Sequence, residues 1–175
     1  EIDSGTQWDH PALINQYRGW DGSSADHNYN WYDPYNQSPT IPSDAFGHGT
    51  HVMGTMVGED GKNQIGMAPG AQWISCKGGD NETGYLNIEE LLMCAEWMLA
   101  PTDLDGNNPT PALRPHVINN SWGGGQTDYF YTGVIDAWRA AGIFPMFSNG
   151  NEGPACSTAG SPGDTWNAFA AGASD

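Results

Sequence analysis

Segments with helical and strand-like patterns alternate along most of this chain, and that alternation constrains the fold more than any other feature. Apolar residues recur at helical spacing from Ile88 until Pro101, after Asn87 as a capping residue with Glu90 at the third helical position. The other segments are helices at 50–57 and 131–141 and strands at 73–77, 117–121, 143–148 and 168–173. Strands that alternate with helices favour right-handed crossovers. The sequence therefore predicts an α/β doubly wound fold, a mostly parallel sheet with helices on both faces.

The length of 175 residues corresponds to one domain and allows a sizeable core. The chain reaches Asp3 after only two residues, which are too few for the strand that should precede a turn there. We therefore expect residues 1–175 to form one partial domain whose first strand is missing. The open sheet edges of an incomplete domain predict self-association.

Charge narrows the range of partners. The chain has 5 Lys and Arg against 21 Asp and Glu, a formal net charge of -16. Long-range repulsion argues against nucleic acid and anionic membranes as partners. No apolar run approaches the roughly 20 residues that cross a bilayer.

The three cysteines are Cys76, Cys94 and Cys156, and none of them forms a close-spaced metal-binding pair. Cys76 lies in a strand pattern and Cys94 in a helix, so both fit small buried apolar side chains. A Cys76–Cys94 disulfide is the alternative in an oxidising compartment. The sequence leaves both interpretations open.

Three segments carry residues suited to acyl transfer. Gly47 and Gly49 flank His48 at the start of a helix, where partners can approach the imidazole closely. Asp3 and Asn151 each fall where a predicted strand gives way to a glycine-containing turn. The carboxyl ends of parallel strands form the ligand-binding edge of such sheets, so we expect these groups to converge. Asp3 would orient the imidazole, His48 would act as the base, and Asn151 would donate to an oxyanion.

Metal sites are weaker alternatives. His48 and His51 are three residues apart, whereas the usual helical zinc pair is spaced by four with an intervening Glu, so a histidine-based metallohydrolase is the less favoured hypothesis. The segment 103–107 is partly like a calcium loop, but its glycine falls one place early and no bidentate Glu follows. We expect no cofactor, and a structural calcium ion stays open with its ligands unknown.

Four segments together, around Asp3, His48, Ser121 and Asn151, resemble the subtilisin-like serine proteases, the subtilase or peptidase S8 family, over essentially the whole chain. The segments 30–34 and 117–123 are most similar to its bacillopeptidase F-like branch. This resemblance implies a subtilisin-like fold and a secreted serine endopeptidase that hydrolyses peptide bonds in proteins. It implies that Asp3 and His48 are the first two members of the catalytic triad and that Asn151 forms the oxyanion hole.

The resemblance also implies how a protein or peptide substrate binds, by pairing of an extended backbone beside enzyme segments. Ser121, Trp122 and Gly123 would form one wall of the primary pocket. Gly160 would form its floor and Glu152 its rim. Gly84, Tyr85 and Leu86 would form the opposite pairing edge. A glutamate at the rim predicts tolerance for basic substrate residues.

The nucleophile turn of this family, Gly-Thr-Ser-Met-Ala or similar, does not occur in the sequence. Ser157 and Ser161 fall instead in the loop that would shape the pocket. We therefore expect the serine to lie beyond Asp175 and this chain alone to be inactive. The alternative is a non-catalytic peptide-binding module that uses the same cleft.

Overall fold

The computed structural model describes residues 1–173, and the chain divides into two compact units, Glu1–Arg114 and Pro115–Asp175. The first unit contains a three-stranded parallel sheet of β1 (Ile2–Asp3), β2 (Trp31–Tyr32) and β3 (Ser75–Lys77), in the order β1-β3-β2. Its two α-helices are α1 (His48–Val57) and α2 (Ile88–Leu99). Short 3-10 helices occupy Ile14–Gln16 and Pro111–Leu113.

The helices of the first unit lie on opposite faces of its sheet. Ile2 pairs with Cys76 in the β1–β3 register, so both side chains point to one face, where Cys76 forms a disulfide with Cys94 of α2. Asp3 points to the other face and contacts His48, the first residue of α1. The predicted arrangement of helices on both faces of a parallel sheet is thus confirmed in this unit.

The second unit has a parallel sheet of β4 (Val117–Asn120), β5 (Phe144–Ser148) and β6 (Phe169–Ala171), in that order. The helix α3 (Thr132–Ala140) connects β4 to β5. Ile135 and Trp138 of α3 are fully buried, and the Trp138 ring stacks on Phe147 of β5 at 6.5 Å between centroids. Burial of these large side chains against one sheet face provides the main apolar packing of the unit.

The predicted elements agree with the observed ones within a few residues, and the differences have local causes. A two-residue strand, β1, forms before the Asp3 turn, where the sequence has too few residues to predict one, because pairing with β3 fixes it: the Cys76 amide donates to the Glu1 carbonyl and the Gly78 amide to the Asp3 carbonyl. Asn87 is the N-cap of α2 but its side chain makes no capping bond. Its amide nitrogen donates instead to the Tyr35 hydroxyl at 3.1 Å.

The disulfide decides between the two interpretations of the cysteines. Cys76 and Cys94 are bonded and fully buried, whereas Cys156 is an exposed free thiol.

The aromatic side chains of the irregular segment before α1 are largely packing residues: Tyr17 and Trp31 are each 1% exposed. Within residues 1–173, no helix combines the length and apolar character needed to cross a bilayer.

Candidate active site

A short hydrogen bond joins the two residues predicted to be the base and its orienting acid. The Nδ1 atom of His48 lies 2.6 Å from Oδ1 of Asp3. The Asp3 side chain is 3% exposed and the His48 side chain 48% exposed. With Nδ1 donating to the carboxylate, Nε2 is the ring nitrogen that can accept a proton.

The carboxylate of Asp3 is buried and accepts hydrogen bonds from His48 and the Ser4 amide. Burial raises the pKa of Asp3 above its ordinary value, while hydrogen bonds from His48 and from the Ser4 amide oppose that rise. Oδ1 accepts the Ser4 amide at 2.7 Å, and Oδ2 is buried and has no hydrogen-bond partner among residues 1–173. The carboxylate therefore depends on few donors, and the imidazole is the principal one.

The glycines on either side of His48 have different structural roles. Gly47 is the N-cap of α1 with φ 92°, a left-handed conformation that favours glycine. A Cβ atom at Gly49 would overlap the carbonyl oxygen of Gly5 and lie 3.1 Å from Cβ of Asp3. The Gly-His-Gly pattern thus serves a sharp helix entry and a close approach of α1 to the turn after β1.

The metal hypotheses gain no support from geometry. His51 is exposed, and Nδ1 of His48 is engaged by Asp3. Asp103 uses its carboxylate to close its own loop, accepting the Asn107 amide at 2.7 Å and the Asn108 side chain at 2.8 Å. No group of three or more His, Cys, Asp or Glu residues suited to a metal ion occurs in the described part of the chain.

The residues predicted to form the wall and floor of the pocket lie together in the second unit. The Gly124 amide donates to the Ser161 carbonyl at 2.9 Å, and the Ser161 amide donates to the Gly125 carbonyl at 2.7 Å. These bonds hold the segment after Ser121-Trp122-Gly123 against Gly160, whose Cβ, if present, would lie 2.7 Å from the Gly124 carbonyl oxygen. Backbone pairing and missing side chains create this close approach.

Asn151 and Glu152 follow β5 in an exposed loop. The Asn149 amide donates to the Ala171 carbonyl at 2.9 Å, and the Gly160 amide donates to the Asn149 carbonyl at 3.1 Å. The side-chain amide of Asn151 makes no hydrogen bond within residues 1–173, whereas its backbone amide donates to Oε2 of Glu152 at 2.8 Å. The Glu152 carboxylate therefore shapes the Asn151 loop, a contact that the sequence did not predict.

The predicted pairing edge at Gly84, Tyr85 and Leu86 belongs to the first unit. Gly84 has φ 66°, and the ring of Phe46 lies against its backbone. The Tyr85 side chain is 67% exposed, but its carbonyl already accepts the Asp80 amide at 3.1 Å. Part of this edge is thus used within the chain.

The two serines of the pocket loop differ in burial, and only the hydroxyl of Ser161 is engaged by Asp164 and the Asp128 amide. Ser161 is 4% exposed, and its hydroxyl donates to Asp164 at 2.6 Å and accepts the Asp128 amide at 2.9 Å. Ser157 is exposed with φ 59°.

The chain is similar to known proteins in both sequence and structure. The Subtilase family model, Peptidase_S8, matches residues 2–175. The chain is 45% identical to Bacillopeptidase F of Bacillus subtilis (strain 168) over 99% of its own length and 13% of that protein. It is 30% identical to the Minor extracellular protease Vpr of the same organism, over 98% of the chain and 20% of that protein.

A solved structure, the S41 psychrophilic protease, superposes with a TM-score of 0.66 at 26% identity and covers 97% of this chain and 50% of that one. The chain belongs to the subtilase family. The identity to Bacillopeptidase F confirms the resemblance to that branch. The chain spans a small part of the curated relatives that it matches, 13% and 20% of these two.

Proposed function

We propose that this chain is part of the catalytic domain of an extracellular serine endopeptidase, with Asp3 and His48 as two members of its triad. The observation that carries the proposal is the bond of 2.6 Å between Nδ1 of His48 and the buried carboxylate of Asp3. Subtilase membership supports the reaction class, since this is a family of serine peptidases.

In the proposed reaction, His48 accepts the hydroxyl proton of a serine through Nε2 and later passes it to the leaving amine. Asp3 holds the tautomer with a proton on Nδ1 and stabilises the imidazolium that forms. Asn151 donates its side-chain amide to the oxyanion of the tetrahedral intermediate. Its exposed side chain, free of hydrogen bonds within residues 1–173, is consistent with that role. We propose no cofactor for this reaction, and a structural calcium ion stays open with no ligands assigned.

The nucleophile is proposed to come from sequence outside these 175 residues. Ser161 is buried and bonded to Asp164, and the chain spans only 13% of Bacillopeptidase F. The chain alone is therefore proposed to be inactive.

The proposed substrate is an extended segment of a protein. Ser121-Trp122-Gly123 and Gly84-Tyr85-Leu86, each in its own unit, would pair with its backbone. Gly160 would line the floor of the primary pocket and Glu152 its rim. Neither nucleic acid nor a membrane is a proposed partner, given the net charge of -16. Self-association through sheet edges remains a proposal that a concentration series by size-exclusion chromatography would test.

An extracellular location is proposed on two grounds. The Cys76–Cys94 disulfide fits an oxidising compartment. The printed name of one relative, the Minor extracellular protease Vpr, places that protein outside the cell.

A serine-reactive fluorophosphonate probe tests the proposed function. The chain of 175 residues should show no labelled residue by mass spectrometry, whereas the chain extended by its downstream coding sequence should be labelled and should cleave casein. His48→Ala should abolish that cleavage, and His51→Ala, one helical turn away and exposed, should retain it. Labelling of Ser157 or Ser161, or activity that survives His48→Ala, would contradict the proposal. Peptide binding by an extended chain that never cleaves would favour the binding module.

A further inference from the structure

We propose that Asp44 and Ser4 act as a clamp that positions His48 against Asp3. Neither side chain is required by the chemistry of proton transfer, and the sequence pattern did not single them out. The inference rests on the proposed function for its catalytic meaning, but the geometry it describes can be measured without activity. Asp44 and Ser4 are positioning residues, because they act on the base and its orienting acid through the backbone.

The carboxylate of Asp44 accepts four hydrogen bonds just before α1. Oδ1 accepts the Ser4 hydroxyl at 2.9 Å and the Gly47 amide at 2.8 Å. Oδ2 accepts the Thr50 amide at 2.8 Å and the Thr50 hydroxyl at 2.7 Å. Because α1 has a glycine as N-cap and no acidic residue in its first turn, Asp44 supplies the anion that a helix N-terminus favours.

Ser4 connects that carboxylate to both members of the catalytic pair. Its hydroxyl oxygen accepts the Gly49 amide at 2.9 Å, and its own amide donates to Oδ1 of Asp3 at 2.7 Å. Ser4 is 2% exposed, and its carbonyl accepts Nζ of the buried Lys77 at 3.0 Å. The residue next to Asp3 in the chain is therefore fixed by four separate contacts.

The clamp holds His48 from both sides. The amide of Gly47, which precedes His48, is bonded to Asp44, and the amide of Gly49, which follows it, is bonded to Ser4. Oδ1 of Asp3 accepts both the Ser4 amide and Nδ1 of His48. A helix cap alone would need no bond to the turn after β1. The Ser4 hydroxyl supplies that bond, so the position of the imidazole and that of its acceptor are set by one network.

The test follows the Nδ1 proton of His48 by NMR in the chain of 175 residues, with His48→Ala assigning the resonance. Asp44→Asn replaces one acceptor oxygen by a donor, and we expect exchange of the Nδ1 proton with water to become at least about 10-fold faster. Ser4→Ala should act in the same direction. If both residues belong to one clamp, the double variant should exchange the Nδ1 proton no faster than the faster of the two single variants.

Asp60→Asn is the matched control, because Asp60 is another carboxylate that accepts backbone amides in a turn, at Lys62 and Asn63, but lies beyond the C-terminus of α1. This variant should leave the exchange rate of the His48 Nδ1 proton unchanged within twofold. In the extended enzyme, Asp44→Asn should lower kcat about 10-fold with KM unchanged within twofold. In Asp44→Asn, exchange of the Nδ1 proton could rise only as much as exchange of the backbone amides of Met53 and Val57 in α1. That result would show that Asp44 only caps the helix, and it would overturn the proposal.

The two proposals fail in different ways. Activity that survives His48→Ala would end the proposed function while the exchange measurement still supports the clamp. An unchanged exchange rate of the Nδ1 proton in Asp44→Asn would contradict the clamp and leave the proposed function intact. The same holds if the effects of the two single variants on that rate multiply in the double variant.

Discussion

The two candidate functional regions of this molecule are fixed by different kinds of interaction. In the first unit, side chains of Asp44, Ser4 and Asp3 accept hydrogen bonds from the Gly47 amide, the Gly49 amide and the His48 ring, respectively. In the second unit, backbone pairing and glycines bring the segments around Trp122 and Gly160 together, and the Asn151 side chain is exposed. A base must hold its tautomer before the substrate arrives, whereas an oxyanion donor acquires its partner only during the reaction. The arrangement around His48 can thus be tested in the free chain, whereas the role of Asn151 can be tested only while an active enzyme turns over substrate.

The substitution Asp3→Asn should have the largest effect. The amide would present a donor to His48 and favour the wrong imidazole tautomer, so kcat in the extended enzyme should fall about 10⁴-fold. KM should change little, because Asp3 is buried behind the imidazole. Steady-state kinetics on a peptide substrate provide the measurement.

The control for this variant is stability, since Asp3 also accepts the Ser4 amide. Because His48 and the Ser4 amide share Oδ1, an asparagine that turns its NH₂ toward His48 gives up the Ser4 bond, so thermal unfolding by circular dichroism should show a folded chain that has lost about 1 kcal/mol. A loss of only a few-fold in kcat with intact folding would mean that the orientation of His48 does not depend on the side chain of Asp3.

Asn151→Ala should have the next largest effect. Loss of one oxyanion donor lowers kcat by about 10²–10³-fold, a magnitude measured in subtilisin itself, to whose family this chain belongs. Because the Asn151 side chain is exposed, the variant should unfold like the wild type. Asn151→Asp is the matched variant, with the same shape but no amide donor, and should lose at least as much. An aspartate variant of full activity would remove Asn151 from the oxyanion hole.

Local sequence rules predicted much of this structure. The period of apolar residues identified α2, and the glycines around His48 identified the helix entry. Each of these two signals consists of residues that lie close together in the sequence. The Asp44–Ser4 bond joins residues 40 positions apart, so no local pattern could reveal it. An acidic residue shortly before a glycine N-cap is the signal that could have pointed to Asp44. The Cys76–Cys94 bond stayed undecided for the same reason, since pairing depends on how β3 and α2 pack.

Removal of the disulfide should weaken the first unit to an intermediate degree. Cys76 and Cys94 are 18 positions apart, and a crosslink that closes a loop of this size contributes about 3 kcal/mol to the free energy of unfolding. A Cys76→Ala/Cys94→Ala double variant should lose about that amount in urea titrations followed by fluorescence. Cys156→Ala, which removes the exposed free thiol, is the control and should cost less than about 0.5 kcal/mol. Equal losses in the two variants would show that the crosslink does not stabilise this unit.

The smallest effect concerns the turn before Gly84, where the first unit relies on side-chain hydrogen bonds at an exposed site. The Asp80 carboxylate accepts the Thr83 hydroxyl at 2.7 Å and the Thr83 amide at 2.8 Å. The bonds from Thr83, joined by one from Gln37, lower the pKa of Asp80 to about 2. A carboxyl group whose pKa is lowered on folding stabilises the folded state fully above its unfolded value near 4, and this stabilisation is lost as pH falls through about 2.

The amide resonance of Thr83 should therefore titrate with a midpoint near pH 2. Asp80→Asn should abolish that titration and speed amide exchange at Tyr85, because the asparagine accepts fewer hydrogen bonds from this turn. The effect should remain local, since the Asp80 carboxylate is exposed and water competes for its hydrogen bonds. A midpoint near 4 would show that these bonds do not persist in solution. Side-chain hydrogen bonds of the first unit would then persist at buried sites such as Asp3 but not at the exposed edge before Gly84, which would resemble the backbone-held loops of the second unit.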